Sequence, residues 1–460
     1  MDDPIFSRPL RVRRVAVTGN RRTQRSVIDG LLKEAKKGRT VKEVSKGLMV
    51  ALKALKEAES FEAVQVFCDA VPIEELPKNS DMEWTDITVS VRERRMLTLK
   101  AETYVNGTGS EGGVETSVTL NNPVGHTEKI NAAASAGSKS AAAVRLEVVK
   151  PRFRGLPFSL TVGGRQSTIS RAIYSSYDES VRELSATLRH DLGRHELGVG
   201  TAWRDILPVR STTNEFGYAA SGLMIAQAKP SLKNSVRYTY TNDQRDHPYG
   251  PQSGSFLRAR MELAGFGGDA SFFKNEVTMQ QFVPVFRGLM KDAALGVTFT
   301  TGVLCPIGAN RGEDAQGVSS VGMTSSISDR FWLGGPLSLR GFKHKGAGPR
   351  TSPKLPGAKG GDSLGGDVTW SLGYSLYLPF PHALLHAAGM RCHLYANAGN
   401  LCAWETSLRT QLYGARASVG AGLIFPTPVG RVEANYSYVV RANSRDQQSR
   451  FQMGLGLDFL

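Results

Sequence analysis

The sequence of 460 residues lacks several features that mark common classes of protein. No apolar run reaches the roughly 18 residues that a membrane-spanning helix requires. The start, Met1-Asp2-Asp3-Pro4, is acidic and is followed by no apolar stretch of the secretory type. The four cysteines have no C-x-x-C spacing and no histidine partners of the zinc type, so free thiols are expected. These absences argue against a helical membrane protein, a Sec-exported protein and a zinc protein.

Catalytic and metal-binding motifs are also missing from the sequence. The eight histidines form no H-E-x-x-H pattern, which is the spacing of a helical zinc site. No G-x-S-x-G nucleophile elbow and no paired-carboxylate site is found. We therefore expect a protein that is not an enzyme and that holds neither a metal ion nor another cofactor.

Residues 1–95 show a mixed pattern that differs from the rest of the chain. The predicted elements are a strand at 12–17, a helix at 23–38, a helix from Thr40 to 55, and strands at 61–71 and 86–91. Thr40 and Glu43 have the T-x-x-E form, in which both side chains satisfy free amides at a helix start. The predicted order is β-α-α-β-β, an α+β unit that can bury a two-layer core.

From residue 96 to the end, apolar residues alternate with polar ones in one short segment after another. A period of two is the pattern of strands, whose successive side chains point to opposite faces. One face carries rows of leucine, valine and aromatic residues, and the other carries charged pairs such as Arg145 with Glu147. The length of this part is enough for about 16 strands of roughly ten residues each, with turns.

Two architectures share this alternation. A soluble β-sandwich packs its apolar faces together, whereas a membrane barrel turns them outward to lipid and lines its lumen with polar residues. Strongly charged faces opposite long apolar rows fit the membrane barrel, in which closure satisfies every backbone amide. We therefore predict an all-β transmembrane antiparallel barrel over 96–460, with the soluble sandwich as the alternative.

The segment Asp329 to Phe342, D-R-F-W-L-G-G-P-L-S-L-R-G-F, carries the most specific motif. It resembles the β-barrel assembly superfamily of outer membranes, whose members share Arg-Gly-Phe or Arg-Gly-Tyr on a long loop folded back into the barrel. Here the tripeptide is Arg340, Gly341 and Phe342. The resemblance implies an inward-folded loop at about 331–366. It also implies that residues 1–95 form a single polypeptide-transport-associated (POTRA) domain.

Within that superfamily, the sequence is most similar to the core channel subunits of the mitochondrial sorting and assembly machinery. The passages that carry this similarity are N-N-P-V-G at 121–125, E-L-A-G-F-G-G-D-A-S-F at 262–272 and N-A-G-N-L-C at 397–402. The similarity implies an insertase of the mitochondrial outer membrane that folds β-barrel precursor proteins. It further implies a POTRA domain in the intermembrane space and peripheral subunits of the machinery on the cytosolic face.

The carboxyl-terminal strand supplies a second motif, polar-x-Gly-x-x-hydrophobic-x-hydrophobic, which resembles the sorting signal of mitochondrial barrels. The residues that fit it, with a second glycine, are Gln452, Gly454, Gly456, Leu457 and Phe459. The family resemblance implies a lateral seam between the first barrel strand, near 96–104, and the last, near 450–460. Glycine lets the last strand kink or slip. An opened seam can receive a substrate strand by β-augmentation.

Arg340 is expected to tie the inward loop to the lumen wall. Its guanidinium has five donors and can therefore bind several wall acceptors at once. Gly341 permits a tight backbone turn, and Phe342 packs the loop against the wall. In bacterial relatives the arginine meets carboxylates on neighbouring strands.

The acidic partner of Arg340 is left open by the sequence, which has Ser375 and Asn397 at the corresponding positions. Asn397 can accept a hydrogen bond. Asp367 and Glu433 are the candidate carboxylates, and Glu433 alternates with apolar neighbours and should therefore point inward.

The formal charge of +15 comes from 57 Lys and Arg against 42 Asp and Glu. Most of this excess lies after residue 95, scattered over inferred lumen positions and loops. Membrane lipids with anionic headgroups are therefore expected partners, and a nucleic-acid site is disfavoured. Two further functions remain alternatives: a protein-translocating outer-envelope channel of the same superfamily, and a passive diffusion porin.

Overall fold

The computed structural model describes residues 7–72, 83–105, 112–137, 142–190, 192–209, 220–286, 292–307, 325–352, 361–404, 406–427 and 430–456. Within these ranges, the amino-terminal part contains three strands and three helices. They are β1 (Leu10–Thr18), α1 (Arg25–Leu31), α2 (Lys33–Lys37), α3 (Val41–Glu57), β2 (Phe61–Ala70) and β3 (Glu83–Glu93). β3 lies in the middle of the sheet, parallel to β1 and antiparallel to β2.

The predicted helix at 23–38 is two helices, because the chain turns at Leu32 between α1 and α2. This turn keeps Ile28, Leu32 and Ala35 all in the core. The expected cap at Thr40 is present, and its hydroxyl accepts a hydrogen bond from the Glu43 amide at 3.3 Å. The amphipathic face of α3 then packs on the sheet and closes a two-layer core.

The described residues after β3 form one antiparallel sheet of sixteen strands, which confirms the predicted number of about 16. The strands are β4 (Leu97–Val105), β5 (Gly112–Asn121), β6 (Lys129–Gly137), β7 (Ala142–Lys150), β8 (Phe158–Ser170), β9 (Tyr177–His190), β10 (His195–Pro208), β11 (Ser231–Asp243), β12 (Gly254–Ala264), β13 (Phe272–Pro284), β14 (Ala294–Pro306), β15 (Val368–Pro379), β16 (Arg391–Cys402), β17 (Arg416–Thr427), β18 (Gly430–Arg441) and β19 (Phe451–Gly456). Each strand pairs with its neighbours in the sequence, and β4 and β19 stand at the two ends of the order.

Short helices lie in some of the connections between these strands. They are α4 (Ala172–Ser175), α5 (Gly222–Ala226), α6 (Ala383–Ala387) and α7 (Leu408–Tyr413). Within the ranges given above, no helix has the length and apolar character needed to cross a membrane.

The two faces of the large sheet differ as the alternation predicts. On β9, Leu184 is 65% exposed on the outer face. Its neighbour Glu183 lies on the inner face, where Arg165 of β8 and Arg237 of β11 are 3.3 Å and 2.5 Å away. The inner charges of β7 to β13 line a cavity of about 650 Å³. The outer face is therefore suited to hydrocarbon and the inner face to water.

The described residues of the long connection between β14 and β15, 325–352 and 361–367, lie against the inner face of the sheet. Side chains from β10 to β19 contact it, including Arg204 on β10 and Gln452 on β19. Because strands so far apart in the order reach the same loop, the sheet curves around that loop. The loop is the feature around which a functional site can be built.

Candidate functional site

The described part of the inward loop, 325–352 and 361–367, is mostly buried. Its apolar side chains form a small core with side chains of β13, β14 and β16. The residues of this core include Phe331, Leu333, Leu339 and Phe342 from the loop, with Phe272, Leu304 and Leu401 from the strands. Phe342 is fully buried, so the third residue of the motif anchors the loop to the wall.

Gly341 is required by the close approach of the loop to the sheet. Its φ of +87° lies in the region that side chains disfavour. A Cβ at this position would stand 3.1 to 3.2 Å from side-chain carbons of Ser418, Ser437 and Val439. A larger residue would therefore lift the loop from β17 and β18.

Arg340 extends from this turn into a buried polar cluster. Its Nη2 lies 2.9 Å from Oε2 of Glu433, and its Nη1 lies 3.5 Å from Oδ1 of Asn397. The guanidinium carbon is 4.9 Å from the ring centre of Tyr395, and the Arg340 carbonyl accepts a 2.6 Å hydrogen bond from Ser418. Four contacts on three strands thus fix one loop residue.

Glu433 is fully buried on β18 and has three partners. Besides Arg340, it accepts hydrogen bonds from Arg431 and from Nδ2 of Asn435, the latter at 3.1 Å. A carboxylate with no contact to water is tolerated only when it is paired in this way. Glu433 is therefore the acidic partner of Arg340 that the sequence left open.

Asp367, the other carboxylate considered for Arg340, does not fill that role, and this expectation was wrong. Its carboxylate accepts hydrogen bonds from the Ser325 hydroxyl and, at 3.3 Å, from the amide of Trp404. Ser325 also accepts a 3.1 Å bond from Arg330. Asp367 lies just before β15, where it holds Ser325 rather than the tripeptide.

The last strand binds the tripeptide from the other side. Oε1 of Gln452 accepts a hydrogen bond from the amide of Gly341 at 2.9 Å, and Nε2 donates to the carbonyl of Phe342 at 2.6 Å. The backbone of Ser449, just before β19, donates to the Gly341 carbonyl at 2.9 Å. The carboxamide of Gln452 suits this position because its oxygen accepts while its nitrogen donates.

Gly454 also faces the loop. A Cβ at this position would lie 2.8 Å from Cγ of Pro336, which is too close for a ring that cannot rotate away. The glycine of the sorting-signal pattern therefore gives the loop room to pack. Gly456 pairs with Arg431 at the end of the β18–β19 ladder, and Leu457 and Phe459 lie outside the described residues.

A second anchor of the loop lies at Asp329, which the sequence reasoning missed. Its Oδ1 is 2.8 Å from Nη1 of Arg204 on β10 and 3.2 Å from Nζ of Lys233 on β11. Lys274 of β13 donates to the Asp329 carbonyl at 2.7 Å. Asp329 and Arg204 are 3% and 4% exposed. The only signal in the sequence was an acidic residue immediately before the Arg-Phe of the motif.

Replacing Asp329 with Asn should weaken the loop on the side of β10 to β13. The substitution leaves the buried Arg204 and the neighbouring Lys233 without their shared carboxylate, a loss of about 3–5 kcal/mol. We expect the folded, heat-modifiable form on detergent gels to melt at a lower temperature. The matched control is Asp292→Asn, which removes the same charge from a pair whose side chains are 37% exposed. Equal melting temperatures for the two variants would contradict the role of Asp329 as an anchor of the loop.

A small α+β unit followed by a sixteen-stranded antiparallel sheet with a buried inward loop is the arrangement that the sequence analysis expected of the β-barrel assembly superfamily. The Omp85 superfamily domain matches residues 122–459, and the chain belongs to that superfamily.

Individual relatives extend the similarity to almost the full length. A SAM50-like protein of Schizosaccharomyces pombe is 28% identical over 98% of this chain and 91% of its own. The human sorting and assembly machinery component 50 homolog is 28% identical over 98% of this chain and 90% of its own. In structure, the chain resembles BamA from Haemophilus ducreyi lacking POTRA domains 1–3, with a TM-score of 0.73 and 17% identity over 97% of this chain and 84% of that one.

Proposed function

We propose that this protein is the core insertase of the mitochondrial outer membrane, which folds and inserts β-barrel precursor proteins. Membership of the Omp85 superfamily and near full-length similarity to sorting and assembly machinery proteins support this function. The observation that carries it is the buried contact between the Arg340-Gly341-Phe342 loop and the last strand through Gln452. A loop that holds the last strand from inside can control its release.

The sheet closes into a barrel in this proposal, with a lateral seam between β4 and β19. Both strands stand at the ends of the strand order, and their outer residues are apolar, as at Leu99 and Met453. A precursor strand brings unpaired amides, each of which costs several kcal/mol in hydrocarbon. An exposed β4 edge can pair with that strand before it meets lipid. Insertion on this route makes and breaks only hydrogen bonds and needs no cofactor.

The last strand and a precursor compete for the same place in this mechanism. Gln452 and Gly454 occupy the polar and glycine positions of the sorting-signal pattern and face the loop. A precursor signal with the same two residues can therefore make the same contacts as β19. The precursor strand replaces β19 at the loop, and the seam then holds the precursor.

The amino-terminal unit is a single POTRA domain in the intermembrane space in this proposal, and peripheral subunits of the machinery bind the cytosolic face. The β-α-α-β-β arrangement of the amino-terminal unit, with the first helix divided at Leu32, supports its assignment as a POTRA domain. The exposed apolar outer face of the large sheet contacts membrane lipids. A passive porin is disfavoured because the loop fills part of the lumen and is held there by buried ion pairs.

Depletion of the protein followed by a pulse assay of porin assembly tests the function. We expect imported porin to accumulate as unassembled precursor, and re-expression to restore its assembly. The import of a matrix protein without a barrel serves as the control, because it does not use the seam. Normal porin assembly after depletion would refute the proposal, whereas a defect in both substrates would indicate general damage to the membrane.

Cysteine pairs placed across residues 98–104 and 452–456 test the seam separately. Oxidation should cross-link the two strands in at least one register, because cysteines on facing strands fall within disulfide distance. A synthetic peptide of the sequence 450–460 should reduce that cross-link by competing for β4. Pairs placed between β4 and β16 are the control, and absence of a reaction in every β4–β19 register would rule out the seam.

A further inference from the structure

The junction between the amino-terminal domain and the large sheet is built from buried polar side chains. Thr23, after β1, donates its hydroxyl to Oε1 of Glu93 at 2.7 Å and accepts a 2.8 Å bond from Nδ2 of Asn122. Oδ1 of Asn122 accepts from the Thr127 amide at 2.7 Å. Thr23 is 3% exposed and Asn122 is 1% exposed. We call Thr23, Glu93 and Asn122 the clasp.

Glu93 is the charged centre of the clasp. Burial alone would raise the pKa of this carboxyl, but hydrogen bonds from Thr23 and Arg22 bring the pKa below its ordinary value. The amide of Thr23 lies 2.7 Å from Oε1, and Nε of Arg22 lies 3.2 Å from Oε2. Glu93 is thus a fixed anion at neutral pH, and it holds the end of β3 to the segment after β1.

The linker between the amino-terminal domain and the large sheet is short and is hydrogen-bonded at every residue. Only three residues, 94–96, separate β3 from β4, and the carbonyl of each accepts a hydrogen bond. Arg22 donates to the carbonyl of Arg94, the side chain of Asn121 donates to that of Arg95 at 2.9 Å, and the amide of Asn121 donates to that of Met96 at 2.7 Å. A hinge needs residues whose dihedral angles are free to change, and these are tied to Arg22 and to the end of β5.

Two further contacts oppose rotation about the clasp. The backbone amide of Gln24 donates to the Gly125 carbonyl at 2.9 Å, and a Cβ on Gly125 would lie 2.5 Å from the carbonyl oxygen of Arg22. Away from that point, Glu59 pairs with Lys129 on β6. Contacts at two separate places fix an orientation, whereas a single contact would leave a pivot.

We propose that the amino-terminal domain and the strands β4 to β6 form one rigid body, closed by the clasp. The first strand cannot then be displaced without carrying the domain with it. This consequence for the seam rests on the proposed function, whereas the rigid body itself does not. The N-N-P-V-G segment at 121–125 supplies the clasp residue Asn122 and the close-approach residue Gly125.

Distance distributions between spin labels test the rigid body in the full chain. The labelled sites are Met49→Cys on α3, Leu99→Cys on β4 and Tyr438→Cys on β18, all strongly exposed, in a variant whose four native cysteines are serine. We expect one narrow distribution for the 49–99 pair. Asn122→Ala and Thr23→Val should broaden it, and Gln24→Ala, which removes an exposed side chain from the same segment, should not.

Hydrogen exchange supplies a second readout that does not depend on labels. Asn122→Ala removes the acceptor of the Thr127 amide, which should exchange about 5- to 100-fold faster. Unchanged exchange, or a 49–99 distribution as broad in the unaltered clasp as in Asn122→Ala, would overturn the proposal. If Asn122→Ala does not fold, Thr23→Val provides the distance test, because it removes the hydroxyl that joins Glu93 to Asn122.

A peptide of residues 450–460 separates this inference from the proposed function. On addition of the peptide, the 49–438 distance should change while the 49–99 distance stays the same. A peptide that moves neither distance counts against strand exchange at the seam but still supports the rigid body. A peptide that broadens the 49–99 distribution contradicts the rigid body.

Discussion

Substitution of Arg340 by Ala is expected to reduce porin assembly at least about tenfold while the protein itself stays in the membrane. The side chain holds the tripeptide to Glu433 and Asn397, and its removal leaves a fully buried carboxylate with Arg431 as its remaining cation. Breaking one side of a buried ion pair costs about 3–5 kcal/mol. Because Asp329 still anchors the other side of the loop, the loss should fall on the contact with the last strands.

The measurement for Arg340→Ala is a pulse assay of porin assembly in mitochondria that contain only the variant. Heat modifiability on detergent gels reports whether the variant barrel is folded. Lys343→Ala is the matched control, since Lys343 is exposed on the same loop. Arg340→Lys should be intermediate, because a single ammonium cannot reach Glu433 and Asn397 with the geometry of a guanidinium. Normal porin assembly with Arg340→Ala would show that the loop contact is dispensable.

Substitution of Gln452 by Ala should release the last strand from the loop. It leaves the amide of Gly341 and the carbonyl of Phe342 without their partners, at about 1–3 kcal/mol for each buried group. Gln452→Glu keeps an acceptor for Gly341 but sets a buried carboxylate oxygen against the Phe342 carbonyl, so its defect should be at least as large. The expected result is easier loss of β19 from the loop together with weaker discrimination among precursor signals.

Protease protection of the loop and competition by the 450–460 peptide measure the effect of Gln452→Ala. Cleavage within the loop should become faster, and less peptide should be needed to block the β4–β19 cross-link. Met453→Ala is the control, because its side chain is 59% exposed on the outer face of the same strand. If both variants respond alike, the effect comes from weakening the strand in general and not from the carboxamide.

The sequence could predict those features of the fold that depend on neighbouring residues. A period of two reports which residues share a face, because successive strand residues point in opposite directions. This rule predicted an apolar outer face and the inward direction of Glu433, and the length of the alternating part predicted about sixteen strands. The T-x-x-E pattern predicted the start of α3 for the same local reason. The turn at Leu32 was missed because core packing, not local propensity, divides that helix.

The candidate site was predictable only where a motif marks it. Arg340, Gly341 and Phe342 were identified by resemblance, and the structure supplies the contacts that give them a purpose. The choice between Asp367 and Glu433 stayed open because the sequence shows that an acid is present but not which loop residue it meets. The pairing of Asp329 with Arg204 joins residues 125 positions apart, which no local pattern can relate.

By itself, the sequence determined the class of fold, the faces of the strands and the identity of the loop motif. These follow from the environment of each strand face, which acts on residues close together in the chain. Only the tertiary structure decided which acid meets Arg340, that Gln452 and Gly454 face the loop, and that the clasp joins the domain to β5. These contacts depend on strand register and sheet curvature, which are set by the pairing of many strands together. A small shift in either would exchange the partners without altering the pattern in the sequence.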